Sequence, residues 1–337
     1  MIKRGFALFC LFWLSSHAFA KKAANTLPFV TMNCYWFFTA DESLGKGSLP
    51  QNEAEYDQKA GHLIGLLPDD APFFIALQEI GGGKDVEKLA HAAQARYGRE
   101  YLPLFIQGHD TVTGQDVGAL FDSSRGWGVQ GKPARVSELE RHVSKHLVVR
   151  LTNGPAHLDV CVVHLRVPRD GISQEKQMGQ NEALLKWSMR HLADDPRANV
   201  MILGDFNEQK PAGSKEQSLA PLFKAVPPFV DPFDQLKGKI ATHAAGMALD
   251  RILISDAIFR GTSKLRFADV EIRKHSHGKG DDRRLYTDHF PVVVRLEQKA
   301  IRKKRASKKT ALFENAPRGE LALMPQTFSW DCGEALN

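Results

Sequence analysis

The sequence predicts a mixed α/β (α+β) protein organised around β-sheet. Short apolar segments rich in β-branched and aromatic residues recur between Phe29 and Leu296, and such segments are typical of buried strands. Helical segments separate some of these strands, and Asn153-Gly154 joins two others in the pattern of a tight hairpin. With 337 residues, 43% of them hydrophobic, the chain can bury a full core in one large domain or two small ones.

The predicted elements follow one another without a domain linker or an internal repeat. Strands are predicted over residues 29–37, 73–77, 117–121, 147–151, 158–163, 200–203, 249–255 and 290–296. Apolar residues at helical spacing predict helices over residues 53–67, 85–97 and 173–192. Strands separated sometimes by a helix and sometimes by a hairpin favour a mixed sheet.

Residues 1–20 have the composition of a secretory signal peptide. Lys3 and Arg4 precede an apolar run from Phe6 to Leu14, and the segment closes with Ala18-Phe19-Ala20. The alternative is an anchor that stays uncleaved. No later segment has the ~18 apolar residues that a transmembrane helix requires. We therefore expect an exported protein, periplasmic or extracellular.

The net charge of +6 is confined to the two ends of the sequence. The signal segment carries two of these charges and residues 299–337 carry four, so residues 21–298 are neutral overall. A neutral body lacks the broad basic surface of an obligate nucleic-acid binder. The basic segment 299–337 has few apolar residues and is predicted to be a flexible tail.

The cysteines indicate neither a disulfide framework nor a zinc site. Cys34, Cys161 and Cys332 follow the signal segment, and this odd number has no short metal-ligand spacing. Cys34 and Cys161 lie within apolar strand predictions, so we expect them to fill the core.

The segment from Val200 to Asn207 ends a buried strand in a polar turn. Four apolar residues precede Gly204, and Asp205 and Asn207 are two positions apart, which places their side chains on the same side of an extended backbone. Such a pair can hold a water, a metal or a phosphate oxygen. The alternative is a turn in which Asp and Asn bond their own backbone.

Polar residues recur at the ends of the other apolar strands as well. The full set is Asn33, Gln78-Glu79, His164, Asp205 with Asn207, Asp250, and Asp288-His289. Together they supply hard oxygen ligands for a divalent ion, imidazoles that titrate near neutral pH, and carboxylates that orient them. The sequence has no P-loop, nucleophile elbow, dinucleotide-binding glycine motif or zinc motif. The remaining chemistry is metal-assisted attack of water on a phosphoester.

In order along the chain, these segments resemble the motifs of the endonuclease/exonuclease/phosphatase superfamily, which includes DNase I-like nucleases. The segments are Thr31-Met32-Asn33, Leu77-Gln78-Glu79, Val163-His164-Leu165, Leu203-Gly204-Asp205-Phe206-Asn207, Leu249-Asp250-Arg251-Ile252 and Thr287-Asp288-His289-Phe290-Pro291-Val292. The resemblance implies one domain over residues 27–298. It also implies a four-layer sandwich, in which two packed β-sheets are flanked by helices and a Mg²⁺-dependent site lies at the strand ends.

The resemblance also implies a role for each matching residue. Glu79 would bind the metal with Asn33 and Asp288 nearby, and the metal would be Mg²⁺, with Mn²⁺ or Ca²⁺ as alternatives. His289, held by Asp250, would act as general base or stabilise the phosphoryl oxygens. The other implied residues are Asp205 and Asn207 for the water and the phosphate, His164 on the leaving-group side, and Asp116 as the partner of His164.

Several arginines are candidates for contact with substrate phosphates. They are Arg166, Arg251, Arg283 and Arg284, the last two in a basic cluster that leads into Asp288. The alternative for the basic cluster is a solvated surface loop balanced by Asp281 and Asp282. Two features of DNase I-like members have no counterpart, namely a tyrosine between Ile106 and Val117 and the paired cysteines.

These observations predict an exported, monomeric Mg²⁺-dependent phosphodiesterase, most simply a DNase I-like nuclease acting on nucleic acid. One alternative in the same fold is a phosphatase or phospholipase-type hydrolase of a small or lipid phosphate. Another is a binding or toxin module that retains the fold without catalysis.

Overall fold

A computed structural model of the chain describes residues 26–39, 52–110, 113–208, 218–278 and 280–299. All of the described residues belong to one compact unit, which ends at Lys299. The predicted signal peptide and the predicted tail beyond Lys299 lie outside the described residues. Among the helices of the described ranges, none is both long and apolar enough to cross a membrane.

Twelve β-strands in the described residues form two six-stranded sheets. Their bounds are β1 Thr26–Phe37, β2 Phe74–Ile80, β3 Tyr101–Phe105, β4 Asp116–Asp122, β5 Gly128–Ala134, β6 His146–Asn153, β7 Ala156–His164, β8 Val200–Asp205, β9 Phe229–Val230, β10 Asp250–Ser255, β11 Leu265–Ile272 and β12 Val292–Gln298. The first sheet has the order β11-β12-β1-β2-β4-β3 and the second the order β5-β6-β7-β8-β10-β9. A parallel pair occupies the centre of each sheet, β1 with β2 and β7 with β8.

The helices of the described residues range from one turn to six. They are α1 Glu53–Gly65, α2 Gly83–Tyr97, α3 Ser137–Glu140, α4 Gly171–Asp194, α5 Ala220–Phe223 and α6 Asp256–Phe259. Helix α1 begins after Asn52, whose side chain accepts a hydrogen bond from the backbone N–H of Glu55. Helix α4 begins after Asp170, which caps it in the same way through Ser173. Both caps satisfy backbone donors that a helix start leaves unpaired.

Alternation along the strands divides the core into three apolar layers. In β1 and β2, Phe29 and Phe74 pack between the two sheets, whereas Val30 and Ile75 pack against α1 and α2. The strands of the second sheet alternate in the same way, and α4 covers their outer face with residues such as Trp187. The layers are therefore helix, sheet, sheet and helix, which confirms the predicted sandwich.

The polar strand ends meet at one edge of the sandwich because of how the strands pair. Asn33 and His164 lie at the C-terminal ends of parallel strands, where His164 is in register with Asp205. Strand β10 runs antiparallel to β8, so its first residue, Asp250, also pairs with Asp205. Strand β12 is antiparallel to β1 and therefore begins at this edge, three residues after His289.

The Asn153-Gly154 hairpin is confirmed, because β6 and β7 pair in register up to Asn153 and Ala156. Cys34 and Cys161 are both buried, as predicted. The sequence did not indicate β3, β5, β9 or β11, and each of these strands lies at an edge of its sheet.

Candidate active site

The side chains at the strand ends point into the space between the two sheets. Phe29, Val160, Met201 and Ile252 occupy this space further along the core. Residues two or four positions apart in a strand share a face, so the inner face of each strand also carries its polar residue: Asn33, His164, Asp205 or Asp250. All four are buried, from 0% to 5% exposed. The candidate site is thus the polar end of the inter-sheet core.

Bulges at this edge of the sheets give several residues unusual backbone φ angles. Between paired residues, β1 advances from Asn33 to Phe37 while β2 advances only from Gln78 to Ile80, and β2 has a further extra residue relative to β4. The bulge residues Tyr35, Trp36 and Glu79 have φ angles of 50°, 53° and 58°; Asn207, after β8, has a φ of 49°. These are the non-glycine residues with positive φ among those the structure describes. Such strain is concentrated at functional sites in proteins.

Asn33 links the two acidic side chains of the site. Its Nδ2 donates to Glu79 Oε1 and to Asp205 Oδ2, each at 3.0 Å, while its Oδ1 accepts the backbone N–H of Tyr35 at 2.9 Å. Because a backbone N–H can only donate, this contact fixes which end of the amide is oxygen. Asn33 therefore lies beside the predicted metal ligand Glu79 with its oxygen facing away from the carboxylates, and its Nδ2 group holds them in place.

Two histidines lie on either side of Asp205. His164 Nε2 is 3.7 Å from Asp205 Oδ2 and 3.9 Å from Glu79 Oε1. His289 Nε2 is 4.0 Å from the same Asp205 oxygen, and its Nδ1 bonds Asp250 Oδ2 at 2.8 Å. Residues separated by up to 210 positions thus converge on one cluster, as predicted from the strand ends.

The two histidines differ in protonation state. Burial, together with the charges of Lys145 and His289, holds the pKa of His164 well below its ordinary value, so this ring is neutral. Burial also acts to lower the pKa of His289, but the ion pair with Asp250 and the charges of Asp205 and Glu79 outweigh it and raise that pKa to about 10. His289 is therefore an imidazolium at neutral pH.

The acidic residues are also perturbed in different directions. Burial and the charge of Asp250 raise the pKa of Asp205 to about 6. Burial acts to raise the pKa of Asp288, but hydrogen bonding from His243 and the charge of His289 outweigh burial and lower this pKa to about 2. Environments that shift the pKa values of neighbouring titratable groups away from one another are characteristic of acid–base sites.

Asp288 and His243 extend the cluster beyond His289. Asp288 Oδ1 lies 3.9 Å from His289 Nε2, and His243 Nε2 lies 3.5 Å from Asp288 Oδ2. The His243 ring packs edge-on against His289, with centroids 4.7 Å apart. His243 Nδ1 accepts the backbone N–H of Ala245 at 3.0 Å, so the proton of the neutral ring is on Nε2. His243 is thus a hydrogen-bond donor toward the site.

The loops after β7 and β8 are held together from helix α4. Gln177 Nε2 lies 3.0 Å from the backbone oxygens of Arg166, Phe206 and Asn207. The side chain of Asn207 donates to the oxygen of Leu165 at 2.9 Å. The Nδ2 group of Asn207 therefore holds the β7 loop, and the predicted contact with water or phosphate would fall to its Oδ1.

Among the described residues, three groups of His, Asp and Glu have ligand atoms within 4.8 Å of one another. In the group Asp205, Asp250 and His289, the His289–Asp250 hydrogen bond already uses the facing atoms. In the group His243, Asp288 and His289, the proton on His243 Nε2 disfavours coordination. The group Glu79, His164 and Asp205 offers two carboxylates that meet at one amide, which suits a divalent cation best.

The structure corrects two of the predicted substrate or partner contacts at the site. The Arg251 guanidinium is 1% exposed and pairs with Asp231, because Arg251 follows Asp250 in the strand and points to the opposite face. Asp116 accepts from Gln107 instead of His164, and His164 Nδ1 is buried without a hydrogen-bond partner in the described part of the chain.

The other predicted arginines differ in whether their guanidinium groups are free to contact a substrate. Arg284 forms a two-pronged ion pair with Glu55 on α1. Arg283 is 56% exposed and lies 3.4 Å from Asp288 Oδ2, at the rim of the site. Arg166 is exposed and follows His164 by two residues. Arg283 and Arg166 are the predicted arginines best placed to contact a substrate.

Three residues that support the site could not be recognised from the sequence pattern. His243 lies in an irregular segment and not at the end of a predicted strand. Gln177 is a polar residue on the buried side of α4. Lys59 is fully buried in α1, where its Nζ donates to the backbone oxygen of Tyr35. A buried charged residue cannot be distinguished from a solvated one by helical periodicity alone.

The arrangement of strands is shared with solved structures. D. rerio TDP2 complexed with a single strand DNA product has a TM-score of 0.53 and 16% sequence identity, and the match covers 81% of this chain and 99% of that one. The human Nocturnin catalytic domain with a bound sulfate anion has a TM-score of 0.54 and 15% identity, covering 82% and 95%. An endonuclease/exonuclease/phosphatase from Bacteroides vulgatus has a TM-score of 0.52 and 12% identity, covering 81% and 99%.

Comparison of the sequence with family models and with curated proteins gives no match. Identities as low as those of the structural neighbours establish the shared fold alone. The two central parallel pairs, the helix–sheet–sheet–helix layers and the structural matches together lead to one conclusion. The chain has the fold of the endonuclease/exonuclease/phosphatase superfamily, as the order of its strand-end motifs predicts.

Proposed function

We propose that this protein is a metal-dependent phosphoester hydrolase, and specifically a nuclease that cleaves phosphodiester bonds. One observation carries the proposal. Within 4.0 Å of the Asp205 carboxylate lie a neutral histidine, His164, and a charged one, His289, while Asn33 joins the same carboxylate to Glu79. Acidic ligands, a proton acceptor and a fixed cation are the groups that stabilise attack of water on a phosphoester.

Glu79 and Asp205, with His164 Nε2 beside them, would hold the divalent cation. The fit rests on their chemistry, because two carboxylates approach each other through a single bridging amide and a cation would balance their charge. When bound, Mg²⁺ would act as a Lewis acid on the phosphoryl oxygens. Mn²⁺ and Ca²⁺ also accept oxygen ligands and belong in the same test.

The charge states assign the remaining roles. The His289 imidazolium, fixed by Asp250, would donate a hydrogen bond from Nε2 to a phosphoryl oxygen and stabilise the charge that develops there. A protonated ring is a poor base, so we assign His289 the second of the two roles that the resemblance implies, which is to stabilise the phosphoryl oxygens. Asp205 would accept a proton from the attacking water, and the ring N–H of the neutral His164 would donate a hydrogen bond to the leaving oxygen.

Nucleic acid is the favoured substrate class. D. rerio TDP2, which shares the fold, was solved with a single strand DNA product. Arg283 is exposed and lies 3.4 Å from Asp288, and the exposed Arg166 follows His164 by two residues, so both arginines could neutralise phosphates that flank the scissile one. Export of the enzyme is part of the proposal and rests on the signal-peptide features of residues 1–20.

The test is a substrate panel with protein lacking residues 1–20. Plasmid DNA, single-stranded DNA, RNA, sphingomyelin and inositol phosphates are incubated with Mg²⁺, Mn²⁺ or Ca²⁺, and separately with EDTA. We expect hydrolysis of nucleic acid that EDTA abolishes and added metal restores. Hydrolysis of sphingomyelin or inositol phosphates alone would replace the nuclease with a lipid or small-phosphate hydrolase.

Matched variants connect the activity to the cluster. His289→Ala should abolish turnover, whereas His157→Ala, a histidine of β7 outside the cluster, should leave it unchanged. Absence of turnover on every substrate with each metal would favour a non-catalytic binding module.

A further inference from the structure

Two consecutive aromatic residues form the bulge at the end of β1. Tyr35 and Trp36 are the inserted residues between the paired positions Asn33 and Phe37, and both have positive φ angles. Large side chains rarely adopt this conformation. A β-bulge redirects the side chains that it carries, and bulges are common next to active sites.

Contacts from the catalytic cluster hold this bulge. The backbone N–H of Tyr35 donates to Asn33 Oδ1 at 2.9 Å, and that of Trp36 donates to Glu79 Oε2 at 3.2 Å. Lys59 Nζ donates to the backbone oxygen of Tyr35. The bulge is therefore fixed to the same residues, Asn33 and Glu79, that organise the proposed cation site.

The redirected rings lie at the rim of the site and outside the three apolar core layers. Both side chains are half-buried, whereas Phe37 and Phe38, which follow them, are 0% and 1% exposed. Two cations lie over the Tyr35 ring, Lys59 Nζ at 5.5 Å and Arg283 Cζ at 5.9 Å from its centroid, and Arg283 in turn reaches Asp288 at 3.4 Å. Aromatic faces and an exposed guanidinium thus stand together beside the acidic cluster.

Flat aromatic faces next to a phosphate-binding cation match the chemistry of a nucleotide. Unpaired bases stack on aromatic side chains with little dependence on sequence, and arginine binds the phosphates between them. The headgroup of a phospholipid and an inositol phosphate have no flat ring to stack. Aromatic rings beside the site would therefore favour a nucleotide over the lipid and inositol phosphates.

We propose that Tyr35 and Trp36 form a stacking platform for unpaired bases next to the scissile phosphate, with Arg283 binding a flanking phosphate. The inference rests on the proposed function for the orientation of the substrate. It names the substrate class as single-stranded nucleic acid, or the unpaired end of a duplex.

The first test measures binding without turnover. Fluorescence anisotropy of a labelled oligo-dT is followed in EDTA and compared with an abasic oligonucleotide of the same length. The wild type should bind oligo-dT about tenfold more tightly or better, as expected for stacking on aromatic residues. Equal affinity for the two oligonucleotides would overturn the proposal, whether or not the protein is a hydrolase.

Variants separate stacking from support of the backbone. Asn tolerates positive φ, so Tyr35→Asn and Trp36→Asn remove a ring while keeping the bulge. Each should weaken oligo-dT binding about tenfold and leave abasic binding unchanged, whereas Tyr35→Phe and Trp36→Phe should bind like the wild type. Arg283→Gln should weaken both oligonucleotides, since both carry phosphates.

The outcome for catalysis distinguishes this inference from the function on which it rests. With Mg²⁺, the two Asn variants should raise KM for oligo-dT and leave kcat unchanged. A fall in kcat with equal loss on the abasic substrate would show that the rings only position Glu79, and would overturn the proposal. Base-dependent binding by a wild type that hydrolyses no substrate would support the platform and refute the nuclease.

Discussion

Replacing Asp250 by asparagine removes the charge that keeps a proton on His289. The two side chains are joined by a hydrogen bond of 2.8 Å, and their side chains are 0% and 8% exposed, so solvent screens the pair very little. In Asp250→Asn the burial of the ring is no longer opposed by its nearest carboxylate, and burial favours the neutral form of an imidazole. We expect the pKa of His289 to fall from about 10 to below 7.

The size of the effect follows from this pKa. A change from about 10 to below 7 is at least a thousandfold in the protonation equilibrium, or about 4 kcal/mol. If the imidazolium stabilises the transition state, kcat/KM of the variant should fall about tenfold for each unit by which the assay pH exceeds the lowered pKa. The folded-state pKa is raised, so the pair stabilises the fold below the unfolded pKa and loses this contribution as pH rises through about 10.

Nitrogen-detected NMR of the imidazole in EDTA reports the protonation of His289 directly in wild type and variant. The wild-type ring should remain doubly protonated through neutral pH, and the Asp250→Asn ring should carry one proton. A wild-type ring that titrates at its ordinary pKa, or a variant with unchanged kcat/KM, would refute the reasoning.

Three further substitutions test the support of the site. Gly204→Ala would place a Cβ 1.9 Å from the backbone oxygen of Val163, so β8 must separate from β7. We expect a lower urea midpoint and ~3 kcal/mol less stability. An unchanged midpoint would contradict the close approach of the two strands. Burial lowers the pKa of His146 to about 4, so stability should fall by about 3 kcal/mol as pH drops from 6.5 to 4. Urea unfolding at several pH values measures this slope, which His146→Gln should reduce; an equal slope in the variant would exclude His146 as its source. Gln177→Leu leaves backbone oxygens of the β7 and β8 loops without their hydrogen-bond donor. We expect kcat to fall about tenfold and the stability to fall by ~1–3 kcal/mol, as measured by kinetics and thermal unfolding. An unchanged kcat would show that the loops keep their positions without Gln177.

The central strands could be predicted from the sequence because both of their faces are buried. Segments such as 200–203 are continuously apolar, and the polar residues that follow them mark the edge of the sheet where the site lies. The edge strands β3, β5, β9 and β11 pack on fewer neighbours. Pro103 and Pro133 also interrupt the pattern of two of them, since proline is unfavourable in a paired strand.

The inner-face residues of the site were predictable for the same reason, because alternation in a strand is fixed. The same rule explains the error at Arg251, which neighbours Asp250 in sequence but lies on the other face and pairs with Asp231. The orientation of the Asn33 amide depends on a bulge two residues later. Contacts of this kind, like those of Lys59 and His243, arise from tertiary packing and leave no periodic signal in the sequence.

The most direct test of a single shared catalytic site is a double-mutant cycle between Glu79 and His289. Glu79→Gln, His289→Ala and the double variant are compared by kcat on single-stranded DNA with Mg²⁺. Residues that act as one unit lose activity non-additively, so we predict that each single variant loses about a thousandfold or more and the double variant loses no more than the worse of the two. Losses that multiply in the double variant, or a single variant with wild-type kcat, would contradict a shared site.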